Sequence, residues 1–277
     1  MPEKYGIIGY PLMHSLSPFM HNRYAYYMGQ KESYEAFEIL PERLSEDIKK
    51  LHDESVLGLN VTIPYKQKIL NCICDIDECA KKIGAVNTLK YTDAGYVGYN
   101  TDAEGLKLSL MEAGISLKDK DVLILGAGGA ARAAAYVSSV SGCSSISVLN
   151  RTLEKAILLA EDFEADAFDY SSLNKISKPE YIVFQTTSVG MYPDVNAMLP
   201  VPESLYSRFS AGIEVIYNPK ETAFINSVSK TGAKIINGFS MLVNQALASR
   251  LIWHPEQTIP GEIRRKVYNE CSDYSWS

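Results

Sequence analysis

Short apolar runs alternate with amphipathic stretches along the whole chain. The first hundred residues predict strands at 5–8, 34–39, 57–63, 87–91 and 96–99, the last two joined as a hairpin by a turn at 93–95. Helices are predicted to begin at Pro18, Pro41 and Tyr65. Strands and helices that alternate in this way are typical of an α/β fold with largely parallel sheets.

The second half repeats the pattern with more strongly apolar strands. A helix is predicted at 102–114, then strands at 122–125, 145–149, 181–184, 212–215 and 234–236, and a long apolar helix at 239–252. We therefore predict two α/β domains around a cleft. The first spans 1–101, the second is a doubly wound domain at 102–238, and residues 239–277 pack back onto the first.

The composition permits a large core and excludes some partners. Of the 277 residues, 46% are hydrophobic and 22% are charged. A formal net charge of -6 argues against a nucleic-acid partner, because such proteins collect Lys and Arg on one surface. No apolar run approaches the roughly 20 residues of a membrane span, and the N-terminus lacks a signal-peptide pattern. We expect no membrane partner and a cytoplasmic protein.

The five cysteines predict free thiols, since an odd number in a long chain does not suit a disulfide framework. Cys72, Cys74 and Cys79 lie close together, but no His or second Cys pair stands nearby at zinc spacing. Their segment is predicted to be helical. The sequence therefore predicts no metal site.

A glycine-rich loop follows the predicted strand at 122–125 and precedes an alanine-rich helix. It consists of Gly126, Ala127, Gly128, Gly129 and Ala130. Glycines permit a tight turn and let the backbone approach a pyrophosphate, whose charge the helix N-terminus favours. A flexible turn is the alternative, but the strand and helix on either side favour a dinucleotide-binding loop in a Rossmann-type domain.

The end of the next strand distinguishes the two nicotinamide cofactors. NAD-specific sites usually place a carboxylate there for the ribose hydroxyls, whereas this chain has Asn150, Arg151 and Thr152. The guanidinium of Arg151 suits a 2′-phosphate. Thr152 adds a hydroxyl, which can also cap the helix predicted at 153–163. NADP is therefore the predicted cofactor.

Polar residues cluster in short segments at the ends of predicted elements. In the first domain these are His14-Ser15-Leu16-Ser17-Pro18, Asn60-Val61-Thr62-Ile63-Pro64-Tyr65-Lys66, Gly84-Ala85-Val86-Asn87-Thr88 and Asn100-Thr101-Asp102-Ala103-Glu104-Gly105. The second half adds Thr186-Thr187-Ser188-Val189-Gly190-Met191, Tyr217-Asn218-Pro219 and Asn237-Gly238-Phe239-Ser240-Met241-Leu242-Val243-Asn244-Gln245. With these motifs in this order, nearly the whole chain resembles the shikimate dehydrogenase family.

The resemblance implies an enzyme of aromatic amino-acid biosynthesis that reversibly reduces 3-dehydroshikimate to shikimate with NADPH. It implies that the substrate carboxylate is held by Ser15, Ser17 and Tyr217. The ring hydroxyls are implied to be held by Thr62, Lys66, Asn87, Asp102 and Gln245. The implied cofactor residues are Gly126, Ala127, Gly128, Gly129, Ala130, Asn150, Arg151, Thr152, Thr187, Val215, Gly238 and Glu78.

General chemistry agrees with two of these assignments. Oxidation of a secondary alcohol needs a hydride acceptor and a group that removes the hydroxyl proton. A lysine can remove it if burial or a neighbouring charge lets the ammonium exchange its proton near neutral pH. We therefore predict a catalytic pair, in which Lys66 transfers the proton and Asp102 orients Lys66.

Each of these residues also has a structural alternative. The alternatives are a solvated surface position for Lys66, helix capping for Asp102 and Ser17, a turn for Asn87 and core packing for Tyr217. The occurrence of every motif in family order favours the functional assignment in each case.

Two departures from the family pattern are visible in a segment predicted to border the cofactor. Gln185 and Ser188 stand where the family commonly has asparagine and proline, so the cofactor affinity can differ. His14 and His21 are predicted to be structural. The sequence is compatible with a homodimer.

Two rival functions fit parts of the sequence. A quinate/shikimate dehydrogenase that uses NAD needs more room beside the carboxylate, whereas Ser15 and Ser17 favour shikimate and Arg151 favours NADP. A non-catalytic NADP-sensing protein has no need of both Lys66 and Asp102.

Overall fold

Two compact units make up the chain in the computed structural model, which describes residues 2–12 and 15–274. Unit 1 comprises Met1–Thr101 with Gln245–Ser277, and unit 2 comprises Asp102–Asn244. The sequence prediction puts the boundaries at 101 and 238, and the later of the two unit boundaries lies within the helix Gly238–Trp253. His14 lies outside the described residues.

The strands of the described part are β1 (Glu3–Gly9), β2 (Glu32–Glu38), β3 (Val56–Val61), β4 (Asp75–Ile76), β5 (Thr88–Thr92), β6 (Gly95–Tyr99), β7 (Asp121–Leu125), β8 (Ser145–Leu149), β9 (Asp166–Phe168), β10 (Tyr181–Gln185), β11 (Phe209–Glu214) and β12 (Lys234–Ile236). The α-helices are α1 (Ser17–Met28), α2 (Leu44–Asp53), α3 (Glu78–Ile83), α4 (Asp102–Glu112), α5 (Gly129–Val140), α6 (Leu153–Phe163), α7 (Glu203–Tyr206), α8 (Ala223–Ser229), α9 (Gly238–Trp253) and α10 (Gly261–Ser272).

The sheet of unit 1 is mixed, with the order β2-β1-β3-β5-β6-β4. Strands β2, β1 and β3 are parallel, whereas β5 is antiparallel to both β3 and β6. The hairpin β5–β6 has a two-residue turn, because Thr92 pairs directly with Gly95. Gly95 has a φ of +133°, which few other residues adopt.

The helix predicted to begin at Tyr65 is absent. A short 3₁₀ helix, Lys68–Asn71, follows a turn instead. The backbone explains the difference, because the carbonyl of Lys66 accepts a 2.7 Å hydrogen bond from Val86 N. That carbonyl is therefore not free for the next helical turn. The helix predicted from Pro41 begins as a 3₁₀ turn, Pro41–Arg43, and continues as α2.

The sheet of unit 2 is entirely parallel, with the order β12-β11-β10-β7-β8-β9. Leu123, Ile124 and Leu125 of its central strand are fully buried, as the apolar run in the sequence predicts. Strand β9 was not predicted, since it is only three residues long and begins with the exposed Asp166.

The second half of α9 is anchored to the sheet of unit 1. The indole of Trp253 donates to the Leu89 carbonyl at 2.9 Å, and Gly58 leaves the space that this ring occupies. The buried guanidinium of Arg250 lies 3.0 Å from the Glu32 carboxylate, and His254 Nε2 lies 2.9 Å from its other oxygen.

Burial acts to raise the pKa of Glu32, but the neighbouring His254 and Arg250 together outweigh burial and lower that pKa. The carboxylate of Glu32 is therefore held charged inside the protein by partners that come from the far end of the chain.

Replacing Arg250 tests this anchor. We expect Arg250→Met to lower the free energy of unfolding by about 3–5 kcal/mol, because the Glu32 charge stays buried without the positive charge of Arg250. Urea denaturation measures the loss. The control is Lys50→Met, since Lys50 and Glu54 form an exposed pair at 3.9 Å and little change is expected there. Equal losses in the two variants would contradict this account of the cluster.

Candidate active site

Seven buried polar side chains of unit 1 form one hydrogen-bonded set, here called the polar network. Its members are Tyr34, Asn60, Asn87, Thr88, Thr101, Gln245 and Ser249. Two of them, Asn87 and Gln245, are among the predicted substrate residues. The structure brings these two into one network although they lie far apart in the sequence.

Ser15 and Ser17 lie at the N-terminus of α1. The backbone N–H of Ser17 donates to Ser15 Oγ at 3.3 Å, and Leu16 holds the N-cap position. The N-cap alternative for Ser17 is therefore wrong. Its side chain is buried, whereas Ser15 is half-buried.

Thr62 and Lys66 follow the carboxyl end of β3, and both side chains are half-buried. The backbone N–H of Thr62 donates to the Ile8 carbonyl at 2.9 Å, which fixes the chain against β1. The Lys66 carbonyl is bound by Val86 N, the residue before Asn87. The turn therefore holds the backbone of Lys66 beside that of Asn87, and a fully solvated position for Lys66 is wrong.

Asn87 has a fixed side-chain orientation. Its Oδ1 accepts from the Thr101 backbone N–H at 2.6 Å, and its Nδ2 donates to Thr101 Oγ1 at 3.0 Å and Gln245 Oε1 at 3.4 Å. The carboxamide of Gln245 is therefore oriented with its oxygen toward Asn87. Asn87 lies directly before β5 and is 2% exposed, so it is more than a turn residue.

The remaining network members were not assigned a role from the sequence. Asn60 is the hub: its Oδ1 accepts from the Tyr34 hydroxyl at 2.7 Å, and its Nδ2 donates to Ser249 Oγ at 2.9 Å and Thr88 Oγ1 at 3.1 Å. A signal existed for Ser249, which lies one helical turn after Gln245 on α9. Asn60, Thr88 and Thr101 lie inside the polar motifs of the first domain, whereas Tyr34 gave no signal.

The glycine-rich loop of unit 2 joins β7 to α5. Gly126 has a φ of +113°, and a Cβ added there would lie 2.6 Å from Thr186 Oγ1, so only glycine fits. Gly128 is the N-cap of α5 and is exposed, and a Cβ there would meet nothing within 4 Å. The loop therefore leaves open space in front of the helix N-terminus, as a bound pyrophosphate requires.

Asn150, Arg151 and Thr152 connect β8 to α6. The Asn150 side chain donates to the Thr152 carbonyl at 2.8 Å and thereby holds the turn, and Arg151 is exposed. Thr152 is the N-cap of α6, but its side chain makes no capping hydrogen bond, so the predicted side-chain cap is wrong. Its hydroxyl is not used for capping and can serve a ligand.

The segment 186–190 lies next to the glycine-rich loop. Thr186 donates through both its backbone N–H and its hydroxyl to the Leu125 carbonyl, at 2.9 and 2.8 Å. The backbone N–H of Thr187 and the Thr187 hydroxyl donate to Gln185 Oε1 at 2.7 and 2.8 Å. The buried Gln185 side chain therefore orders the segment that contains the predicted cofactor residue Thr187.

Glu214 ends β11 with a buried carboxyl group. Its oxygens accept from Thr222 Oγ1 at 2.6 Å and Gln185 Nε2 at 3.4 Å. Burial raises the pKa of Glu214 to about 7, although both hydrogen bonds act to lower it. The next residue, Val215, donates its backbone N–H to the Gln185 carbonyl at 3.0 Å. Gly238 packs so tightly that an added Cβ would lie 2.3 Å from the Val215 carbonyl oxygen.

Three further predicted residues lie apart from these groups. Asp102 is buried at the first position of α4 in unit 2, directly after the network residue Thr101. Tyr217 is half-buried in the segment that follows β11 in unit 2. Glu78, a predicted cofactor residue, is exposed at the start of α3 in unit 1, whereas the other predicted cofactor residues belong to unit 2.

His21 has a packing role. Its ring is fully buried, stacks on Tyr34 at 4.3 Å between centroids, and neither nitrogen has a hydrogen-bond partner. Burial lowers the pKa of His21 well below its ordinary value. A neutral, buried imidazole of this kind fits the structural role predicted for it.

The cysteine segment is not the helix predicted for it. Cys72 follows a 3₁₀ helix, Cys74 lies in a connection, and only Cys79 is on α3; each is a free thiol. Among the described residues, Glu3, Glu32 and His254 alone are close enough to share a metal ion. Because Arg250 already neutralises Glu32, a cation is disfavoured there. No helix of the described chain is long and apolar enough to cross a membrane.

Comparison with known protein families identifies both parts of the chain. A model described as the shikimate dehydrogenase substrate binding domain matches residues 7–89, and one described as shikimate / quinate 5-dehydrogenase matches residues 107–192. The chain belongs to the shikimate dehydrogenase family. The NADP(+) shikimate dehydrogenase of Methanothermobacter thermautotrophicus is 41% identical over 254 residues, which cover 90% of this chain and 89% of the relative.

Solved structures of the shikimate dehydrogenase family share the fold. Shikimate dehydrogenase 1 from Peptoclostridium difficile is 36% identical, with a TM-score of 0.86 and 98% coverage of each chain. The enzyme from Thermus thermophilus, solved in complex with NADP(H) and shikimate, is 30% identical, with a TM-score of 0.84. That match covers 97% of this chain and 99% of the other. The α/β fold predicted from the sequence is thereby confirmed.

The raised pKa of Glu214 predicts a pH-dependent stability. Between its ordinary pKa of 4.5 and about 7, the folded protein holds a proton that the unfolded chain has released. The free energy of unfolding therefore falls as the pH rises through this window, by about 3 kcal/mol in total.

Denaturation between pH 5 and 8 tests this. Glu214→Gln should flatten the fall, because it removes the buried ionisable group and keeps its volume. The control Glu161→Gln replaces an exposed carboxylate on α6 and should leave the slope as it is in the parent protein. Identical slopes in the two variants would rule out Glu214 as the source.

Proposed function

We propose that this chain catalyses the reversible NADP-dependent interconversion of shikimate and 3-dehydroshikimate, a step of aromatic amino-acid biosynthesis. The observation that carries the proposal is the polar network, which joins Asn87 and Gln245 in one set of oriented hydrogen-bonding groups. The names of the relatives support the same activity, and the Thermus thermophilus structure contains both ligands.

On the substrate side, two kinds of group suit the two ends of shikimate. Ser15 and Ser17 supply hydroxyls for its carboxylate, and Tyr217 supplies a third. Thr62, Asn87 and Gln245 supply hydroxyl and amide groups for the ring hydroxyls. A pre-oriented set of such groups favours a polyhydroxylated ligand, because a ligand that lacks a hydroxyl leaves buried polar atoms unpaired.

We propose that Lys66 moves the proton of the reacting hydroxyl and that Asp102 orients Lys66 and shares that hydroxyl's hydrogen bond. Partial burial of Lys66 and burial of Asp102 support the assignment, since neither is a fully solvated surface charge. In the oxidation Lys66 accepts the hydroxyl proton, and in the reduction it returns a proton to the alkoxide. NADP, when bound, accepts or supplies the hydride at its nicotinamide ring.

On the cofactor side, the glycine-rich loop with Gly126, Ala127, Gly128, Gly129 and Ala130 is proposed to hold the pyrophosphate. Its support is the open space before the N-terminus of α5. Asn150, Arg151 and Thr152 are proposed to hold the 2′-phosphate, supported by the exposed guanidinium and the hydroxyl that is not used for capping. Thr187, Val215, Gly238 and Glu78 complete the proposed set.

We also propose the cytoplasm as the compartment, supported by cysteines that are free thiols. A homodimer is part of the same proposal, and sedimentation of the purified protein measures it.

Replacing Lys66 tests the proton transfer. We expect Lys66→Ala to lower kcat for shikimate oxidation by at least about 100-fold while NADP still binds, because the variant loses only the proton-transfer group. The matched control is Lys68→Ala, which removes an exposed lysine two positions along the chain and should keep full turnover. Preserved turnover in Lys66→Ala would overturn the assigned role.

The same assay separates the rival functions. We expect the parent protein to oxidise shikimate much faster than quinate. Comparable rates with quinate would assign the chain to the quinate/shikimate dehydrogenases. NADP binding without any turnover would assign it to a cofactor-sensing protein.

Replacing Arg151 tests the choice of cofactor. We expect Arg151→Ala to raise KM for NADP by about tenfold or more and to leave KM for NAD nearly unchanged, because only NADP carries the 2′-phosphate. Steady-state rates at varied cofactor concentration measure both constants. Lys230→Ala removes an exposed charge elsewhere in unit 2 and serves as the control. An equal rise for both cofactors would contradict 2′-phosphate binding by Arg151.

A further inference from the structure

A pair of buried polar side chains joins the carboxyl ends of two neighbouring strands in unit 2. Gln185 is the last residue of β10 and Glu214 is the last residue of β11, and they are 0% and 1% exposed. Gln185 Nε2 lies 3.4 Å from Glu214 Oε1. Ligands of open parallel sheets bind at the carboxyl ends of the strands, so this pair lies at the functional edge of its sheet.

Both polar atoms of the Gln185 side chain form hydrogen bonds with the segment that follows it. Its oxygen accepts from the backbone N–H and the hydroxyl of Thr187, and its nitrogen also donates to the Val189 carbonyl at 3.1 Å. The Thr187 hydroxyl in turn accepts from Val189 N at 3.2 Å. These bonds close the segment into a compact turn around a single carboxamide.

Glu214 supports the direction that Thr187 and Val189 impose on that carboxamide. The Glu214 carboxyl group accepts from Gln185 Nε2, so the amide nitrogen faces Glu214 and the amide oxygen faces Thr187. Thr222 holds Glu214 from the other side, and the Thr222 hydroxyl also caps α8 by accepting from Ile225 N at 3.1 Å. A flipped carboxamide would place its oxygen against the Glu214 carboxyl oxygen.

The ordered segment lies against the glycine-rich loop. Thr186 is held by the Leu125 carbonyl, and the space at Gly126 is filled by the Thr186 hydroxyl. On the other strand, Val215 N is held by the Gln185 carbonyl. One side chain and its own backbone therefore connect the glycine-rich loop, the segment 186–190 and Val215.

We propose that Gln185 and Glu214 are positioning residues for the dinucleotide cofactor, acting through the segment 186–190 and Val215 without touching the ligand. This inference rests on the proposed binding of NADP to unit 2. It assigns the pair a role in cofactor affinity, because Gln185 is bonded to Thr187 and to the backbone of Val215, which are both proposed cofactor residues.

An exchange of the two side chains tests the proposal. Gln185→Glu places two carboxyl groups face to face and removes the donor to Val189, so we expect NADPH to bind about tenfold more weakly or worse. Adding Glu214→Gln restores a donor and an acceptor across the pair with the roles reversed. We expect the double variant to recover at least about threefold of the lost affinity, although Glu214→Gln alone brings no gain.

Two further readouts separate positioning from general damage. With NADPH saturating, KM for the substrate should change by less than about twofold in every folded variant. The loss in Gln185→Glu should be larger at pH 8 than at pH 6, because two facing carboxyl groups can share one proton at the lower pH. The pKa of Tyr206, whose hydroxyl is influenced by Glu214, is raised to about 12 by burial, so Tyr206 stays neutral throughout.

The control is Ser210→Ala, at the opposite end of β11, which removes one hydrogen bond to the Tyr181 carbonyl and should leave NADPH affinity unchanged. Fluorescence titration with NADPH measures affinity, and thermal unfolding identifies folded variants. Should Gln185→Glu fail to fold, Gln185→Met keeps the length of the side chain, removes its carboxamide and should weaken NADPH binding in the same way.

The outcomes are distinct. Additive effects in the double variant, or unchanged NADPH affinity in a folded Gln185 variant, would overturn the positioning role while leaving the proposed function in place. A parent protein that does not bind NADPH would overturn both.

Discussion

The buried carboxamide of Asn60 sets a constraint that most of unit 1 must satisfy. A buried amide is tolerated only when its oxygen and its N–H groups find partners, and this one takes them from three separate parts of the chain. Tyr34 reaches it from β2, Thr88 from β5 and Ser249 from α9. The positions of β2, of the hairpin β5–β6 and of helix α9 therefore all depend on one side chain.

The same constraint explains why the proposed substrate side is polar yet rigid. Asn87 and Gln245 each use part of their hydrogen-bonding capacity inside the network, which fixes the direction of the groups that remain. Unit 2 solves the equivalent problem differently. There the following segment surrounds the carboxamide of Gln185 and sets its direction, and Glu214 supports that direction.

Much of this arrangement could be predicted from the sequence, for identifiable reasons. The apolar run before the glycine-rich loop predicts a central parallel strand, because a short run of consecutive buried residues is typical of a strand that is covered on both faces. Long-range pairing could not be predicted in the same way. The turn at Lys66 depends on Val86, and the role of Tyr34 depends on Asn60, so no local pattern marks either one. The three-residue strand β9 is too short for periodicity to reveal it.

Because unit 1 is discontinuous in sequence, it cannot complete its fold before the C-terminal segment has been synthesised. Ser249, Arg250 and Trp253 complete the interior of unit 1, yet a ribosome makes them only after all of Asp102–Asn244. Until then Asn60 and Glu32 lack partners that they need when buried, so the N-terminal segment emerges as an incomplete core. Unit 2 contains its own sheet without interruption and can close first. Vectorial synthesis thus favours a cofactor unit that folds early and a substrate unit that is finished last.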